Sequence, residues 1–217
     1  MITINDIRKN KEILSYINQA DQALKEMGFT EHALPHVENC VSVVTNILEK
    51  LDYDEGTINL AQIAAFMHDI GNVINRIDHA QSGAVMSFRI LDKLGMDSVS
   101  ISKIINAIGN HDESTAQPVS AISAALILAD KSDVRRSRVR QIKTSEFDIH
   151  DRVNYAVTKK EVNFDGQEFT LSLEIDLNIC SIMNYFEIFM KRMLLCQRAS
   201  DYLKIKFSLI INGTKMI

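Results

Sequence analysis

Residues 60–72 read LAQIAAFMHDIGN. From Leu60 to Met67 only Gln62 is polar, so the stretch is apolar nearly all round, and a helix of that composition sits inside a protein rather than on its surface. It ends on two side chains that resist burial, His68 and Asp69. Gly71 follows, and it either stops the helix or lets another segment come close. A carboxylate at the end of a buried helix is costly unless it is paired, hydrogen-bonded or bound to a metal. The helix is expected over about Thr57 to Ile70, after the turn Asp54-Glu55-Gly56.

Upstream, Val37, Val41, Val44 and Leu48 fall at i, i+4, i+7 and i+11, one face of a helix over about 33–51. Residues 6–27 carry Ile7, Ile13, Leu14, Ile17, Leu24 and Met27, an amphipathic helix stopped by Gly28. Downstream, helices are expected over about 78–94, closed by Gly95, over 97–109, and over 119–132 with Pro118 in the first turn. The charged run RRSRVRQIKTSEFDIHD, 135–151, reads as a helix end passing into a linker. From about Arg152 the pattern turns to strand. VNYAVTKKEVNF and QEFTLSLEI flank Asp165-Gly166, a hairpin signal. A helix over about 178–203 follows, its Met183, Phe186, Phe189, Met190, Met193 and Leu194 read as core packed on a sheet. KIKFSLII reads as the last strand. The expected fold is mainly α: a helical bundle over 1–150, and a small α+β subdomain of three strands and one helix over 151–217.

Composition agrees. With 8 Gly and 2 Pro in 217 residues there are few helix breakers, and 46% hydrophobic residues supply a core without disulfide staples. The net charge of −4 gives no overall basic footprint for nucleic acid. RRSRVRQIK at 135–143 is locally basic, which usually means a solvated helix face; RNA association is the minor alternative. Cys40, Cys180 and Cys196 form no C-x-x-C pair. With a charged N-terminus unlike a signal peptide, they point to free thiols in a reducing cytoplasm. No apolar run reaches the ~18 residues of a membrane span.

Four of the six histidines, His36, His68, His79 and His111, stand at or near the ends of expected core helices. Asp130 stands likewise in AALILADKSD. One histidine at a helix end is usually a surface or capping residue, and one His-Asp pair proves nothing. Their combination, in order on separate helices, is the pattern by which bundles build metal sites. Imidazole and carboxylate together suit iron, manganese, zinc, cobalt or nickel. His32, one turn before His36, is the alternative ligand there, and His150 reads as a solvated linker residue.

The order His36, His68-Asp69, Asp130 resembles the H…HD…D signature of the HD superfamily of metal-dependent phosphohydrolases. PHVENCVSVV, AAFMHDIGN and LILADKSD resemble its first, HD and last metal-binding helices, so the resemblance covers roughly residues 30–140. His79 in RIDHAQSGA and His111 in AIGNHDES resemble the additional histidines of the two-metal members. Those include symmetrical dinucleoside tetraphosphate hydrolase-like proteins and HD-GYP phosphodiesterases. The resemblance implies the ligands His36, His68, Asp69, His79, His111 and Asp130, with Asp69 bridging and the His68-Asp69 pair central to catalysis. It implies two divalent metals, iron or manganese foremost, with zinc, nickel, cobalt or magnesium also admissible. The implied reaction is hydrolysis of a phosphate ester or anhydride, on a nucleotide or similar small molecule. Two departures stand out. Asn72 occupies the place of the lysine that two-metal relatives commonly carry after HD-x-G, and no GYP motif follows.

Candidate cations for the substrate phosphate are Arg76, Lys131, Arg135 and Arg136, each of which could equally be a solvated charge. Asp112 could orient a histidine, cap a helix or face water. The alternative from another class is a nucleotide-binding regulator that keeps the metal site without turnover, to which Asn72 lends some weight. Dimer formation through the tail stays open.

Overall fold

The first two helices divide where the sequence suggested one. In this computed structural model, which describes residues 2–140 and 147–217, α1 (Ile4–Arg8) and α2 (Lys11–Glu26) are separated because the Asn10 side chain accepts from the amides of Glu12 and Ile13 and starts a new helix. Then come α3 (Leu34–Lys50), α4 (Glu55–Met67), α5 (His79–Lys93), α6 (Ser98–Gly109) and α7 (Ala121–Lys131). Asp54, Asp97 and Ser120 cap α4, α6 and α7 through their side chains.

The stripe Val37, Val41, Val44, Leu48 is buried as expected, and it packs α3 against α4 and α7. Each such aliphatic side chain contributes about 1.5–3 kcal/mol on burial. In α4 every residue from Ile63 to Met67 is buried, and in α7 every residue from Ile122 to Lys131. These two helices form the centre of the bundle, and their C-terminal ends carry His68, Asp69 and Asp130.

The tail departs from expectation in three places. VNYA is not strand: α8 (Ile149–Ala156) includes it, because Asp148 caps the Asp151 amide and starts a helix there. The hairpin is β1 (Val157–Phe164) and β2 (Glu168–Ile175), antiparallel, turning at Gly166 with φ +100°. After α9 (Ile182–Leu203), β3 (Lys206–Ile211) lies parallel to β2. A fourth strand, β4 (Thr214–Lys215), then folds back on β3, so the sheet has four strands in the order β1-β2-β3-β4. Of the apolar residues in α9, Phe189 and Met193 are buried with Tyr185 and Cys196, whereas Met183, Met190 and Leu194 face outward. Helical period decides this, since one stripe can meet the sheet and its neighbours cannot. The buried apolar residues of bundle and tail are continuous. Residues 141–146 of the expected linker, including part of the basic run, lie outside the described residues.

Candidate metal centre

His68 and Asp69 are adjacent in sequence yet converge on one point, because the chain leaves the helix between them. His68 keeps helical dihedrals at the C-cap of α4; Asp69, at φ −98° and ψ 1°, opens the short 3-10 turn Ile70–Val73. The Asn72 side-chain amide donates to the Asp69 backbone oxygen and to Asp69 Oδ1, each at 2.9 Å, which fixes the carboxylate.

Helix ends orient two of the histidines, and a turn carbonyl orients a third. The last carbonyls of a helix lack intrahelical donors. His68 Nδ1–H donates to Ala65 O at 2.8 Å and His111 Nδ1–H to Ile108 O at 2.6 Å, both three residues back at the ends of α4 and α6. His79 does the same to Arg76 O at 2.9 Å, on a turn that passes through Asp78 in the left-handed region. His36 lies in the first turn of α3, where no free carbonyl stands behind it. Its Nδ1–H donates instead to Asp133 Oδ2 at 2.8 Å. With each Nδ1 occupied as a donor, the four Nε2 atoms carry lone pairs, the arrangement that outer partners impose on metal-binding imidazoles.

Those lone pairs face one another. His36 Nε2 and His68 Nε2 are 3.3 Å apart, as are His79 Nε2 and His111 Nε2. Asp69 lies between the pairs and divides its oxygens. Oδ2 is 3.4 Å from His68 Nε2 and 3.8 Å from His36 Nε2; Oδ1 is 3.4 Å from His79 Nε2 and 3.8 Å from His111 Nε2. Asp130 Oδ1 completes the first group, 3.4 Å from His36 Nε2 and 3.9 Å from His68 Nε2. The structure thus brings together His36, His68, Asp69, His79, His111 and Asp130, all buried. Facing nitrogens and carboxylates out of reach of bulk water repel or strand their lone pairs unless a cation sits among them, so the donor set fits divalent metal.

Charge follows the same logic. Burial works against ionised Asp69 and Asp130, yet the neighbouring histidines, and Lys131 beside Asp130, hold both carboxyls well below their ordinary range. Burial also disfavours charge on His36, but Cys40, Asp130 and Asp133 hold its pKa well above the ordinary value. A proton and a metal ion therefore compete for that nitrogen. Burial pushes His79 down to about 4, which keeps it neutral and able to ligate.

A cavity of about 490 Å³ lies beside the histidines. None of the six convergent residues lines it directly. Arg76 and Asp112 form the floor between, with Arg76 Nη1 3.4 Å and Asp112 Oδ1 3.9 Å from His79 Nε2. Asp112 thus faces the ligating edge of His79 rather than the Nδ1 edge expected of an orienting acceptor. The tail supplies a wall through Phe189, Lys191 and Arg192 of α9.

The other phosphate-binding candidates are elsewhere. Lys131 is buried with Nζ 2.6 Å from Asp130 Oδ2. Arg135 pairs with Asp133 and Glu31, and Arg136 stacks on Tyr155 with its guanidinium carbon 4.4 Å from the ring centroid. Lys131 is also 3.7 Å from Glu113 Oε1 on the cavity wall, but of the four candidates Arg76 alone lines the cavity. His32 stands in the loop before α3, its Nδ1–H donating to Thr30 O at 2.7 Å, and lines the cavity. His150 is exposed on α8 and lines it too. Sequence reasoning missed Asp133. The signal was available: LADKSD places a second aspartate three residues after Asp130, on the same helical side.

The sequence pattern of the HD domain matches residues 34–152, more than half of the chain. The chain belongs to the HD domain family. It is also similar to an uncharacterized protein of Methanocaldococcus jannaschii, 21% identical over 197 residues, covering 80% of this chain and 75% of that one. Among solved structures it is similar to a predicted HD superfamily hydrolase from an uncultured Thermotogales bacterium. The TM-score is 0.46 and the identity 25%, over 58% of this chain and 68% of that one. The HD domain and its clustered histidines and aspartates support a metal-dependent hydrolase activity. Among the described residues, no helix is long and apolar enough to cross a membrane.

Proposed function

We propose that this HD domain protein holds two divalent cations among His36, His68, Asp69, His79, His111 and Asp130, and hydrolyses a phosphate ester or anhydride of a nucleotide or similar small molecule. The division of the Asp69 oxygens between two pairs of facing histidines carries this reading, because one carboxylate can then serve both cations. The four-histidine set resembles that of the two-metal members of the superfamily, which supports the reading. Divalent cations supply Lewis acidity there, acidifying a water molecule and neutralising phosphoryl charge. Iron and manganese suit nitrogen and oxygen donors of this kind, and zinc, cobalt, nickel and magnesium are admissible.

The protein's own groups do the rest. Asn72 fixes Asp69, and Asp133 with the carbonyls of Ala65, Ile108 and Arg76 fixes the rings, so the donors need no reorganisation during the reaction. Arg76 donates to Asn72 Oδ1 at 3.2 Å and reaches the cavity floor, so it brings positive charge to the neighbourhood where relatives place a lysine. Asp112 is kept below its ordinary pKa: burial opposes its charge, but the Ser114 hydroxyl and Lys131 outweigh it. Ionised and on the cavity floor, Asp112 is placed to accept a hydrogen bond from the attacking water and orient it.

The test is turnover of a panel of nucleoside mono-, di- and triphosphates, dinucleoside polyphosphates and cyclic nucleotides with Mn²⁺ or Fe²⁺. The expected result is phosphate or nucleotide release that falls more than about a hundredfold in His68→Ala. Undiminished activity in metal-free His68→Ala would overturn the reading. Tight nucleotide binding without turnover would assign the regulator instead, with Asn72 as its marker.

A further inference from the structure

Cys40 follows His36 by one turn of α3, so its side chain lies on the same face. It is fully buried, and its Sγ is 3.9 Å from His36 Nε2. Sγ, His36 Nε2, His68 Nε2 and an Asp130 oxygen all lie within 4.8 Å of one another. In a tetrahedral site with metal–sulfur bonds near 2.3 Å and metal–nitrogen bonds near 2.0 Å, neighbouring donors are about 3.3 to 3.6 Å apart. The contacts around His36, 3.3 to 3.9 Å, lie within a few tenths of an ångström of that range, and Asp69 Oδ2, 3.4 Å from His68 Nε2, stands as a fifth donor at the same position. The second observation is independent of the thiol. His36 and His68 are both held as Nδ1 donors, so their Nε2 lone pairs point into this space, 3.3 Å apart.

We propose that Cys40 is a metal ligand, giving the His36–His68–Asp130 position a sulfur donor that the His79–His111 position lacks. This rests on the metal-site reading above and makes the two positions chemically unequal. Sulfur favours zinc, ferrous iron or cobalt over magnesium and manganese, whereas the His79–His111 side keeps nitrogen and oxygen donors alone. Ligation needs the thiolate, so loading this position releases the Cys40 proton to solvent.

The experiment is a stepwise Co²⁺ titration of the metal-free protein, reduced and without oxygen, followed by absorption. The expected result is a near-ultraviolet sulfur-to-cobalt charge-transfer band alongside visible ligand-field bands. Cys40→Ser should lose the first and keep the second, and Cys196→Ser should keep both. Ligand-field bands with no charge-transfer band in the unaltered protein would overturn the sulfur ligand while leaving the metal site standing. No cobalt spectrum at all would overturn the metal site itself, and the sulfur ligand with it. Should Cys40→Ser lose both bands, X-ray absorption of the cobalt-loaded unaltered protein decides: a sulfur neighbour at about 2.3 Å supports the assignment, and nitrogen and oxygen alone refute it.

Discussion

Asp69→Ala is expected to remove both metals at once, while His79→Ala removes only one. The asymmetry comes from geometry. Asp69 Oδ2 faces His36 and His68, and its Oδ1 faces His79 and His111, so one carboxylate serves both groups. Without it four buried imidazoles keep their lone pairs but lose the negative charge that offsets two dications. His79, by contrast, contacts only the Oδ1 side. Activity should fall more than about a hundredfold in Asp69→Ala. Asp69 belongs to no part of the apolar core, so circular dichroism should stay that of the folded protein. Metal content per chain, measured on both variants, checks the asymmetry. Equal losses would mean that Asp69 does not bridge.

Gly71→Ala should damage the fold itself. A methyl group there would meet His79 O at 2.0 Å, Gly83 N at 2.5 Å and Ser82 Oγ at 2.7 Å. Two of these are backbone atoms of α5, which cannot rotate away. The turn after Asp69 and the first turns of α5 approach so closely because both contacting positions, Gly71 and Gly83, lack side chains. Pushing α5 outward would also move His79 away from Asp69. The expected cost is about 3 kcal/mol, from overpacking at a rigid contact. It would show as a lower midpoint in chemical denaturation with an unchanged slope. A variant as stable as the parent would mean that the approach of α5 to this turn is looser than described. Ala at Gly28, where nothing lies within 4 Å, provides a comparison in which φ +81° rather than packing sets the penalty.

Much of this was legible in the chain. The buried helix ending in His68-Asp69 announced itself because apolar residues on every side leave no solvent face, and two polar groups at its end need an explanation. The valine stripe of α3 fixed which side of His36 faces inward. The hairpin at Asp165-Gly166 carried its own turn chemistry. Boundaries set by side-chain caps were less visible, because a cap acts through one hydrogen bond and not through a period. Asn10 splits α1 from α2, and Asp148 converts VNYA from strand to helix. The roles of the cations were the least visible. Arg135 and Arg136 have the charge a phosphate needs, but Glu31 and the Tyr155 ring, distant in sequence, engage them, and Lys131 is paired with its own neighbour Asp130. The tail's part in walling the cavity was also invisible, since it depends on how α9 packs against α7.

The central claim is that the chain holds two metal ions. The most direct test is the number of metal atoms per chain, by mass spectrometry, in untagged protein purified without oxygen or chelator. The account predicts about two, with iron, manganese or zinc among them. No bound metal, even after incubation with excess Mn²⁺, Fe²⁺ or Zn²⁺, would contradict it and leave the facing histidines without a cation to explain them.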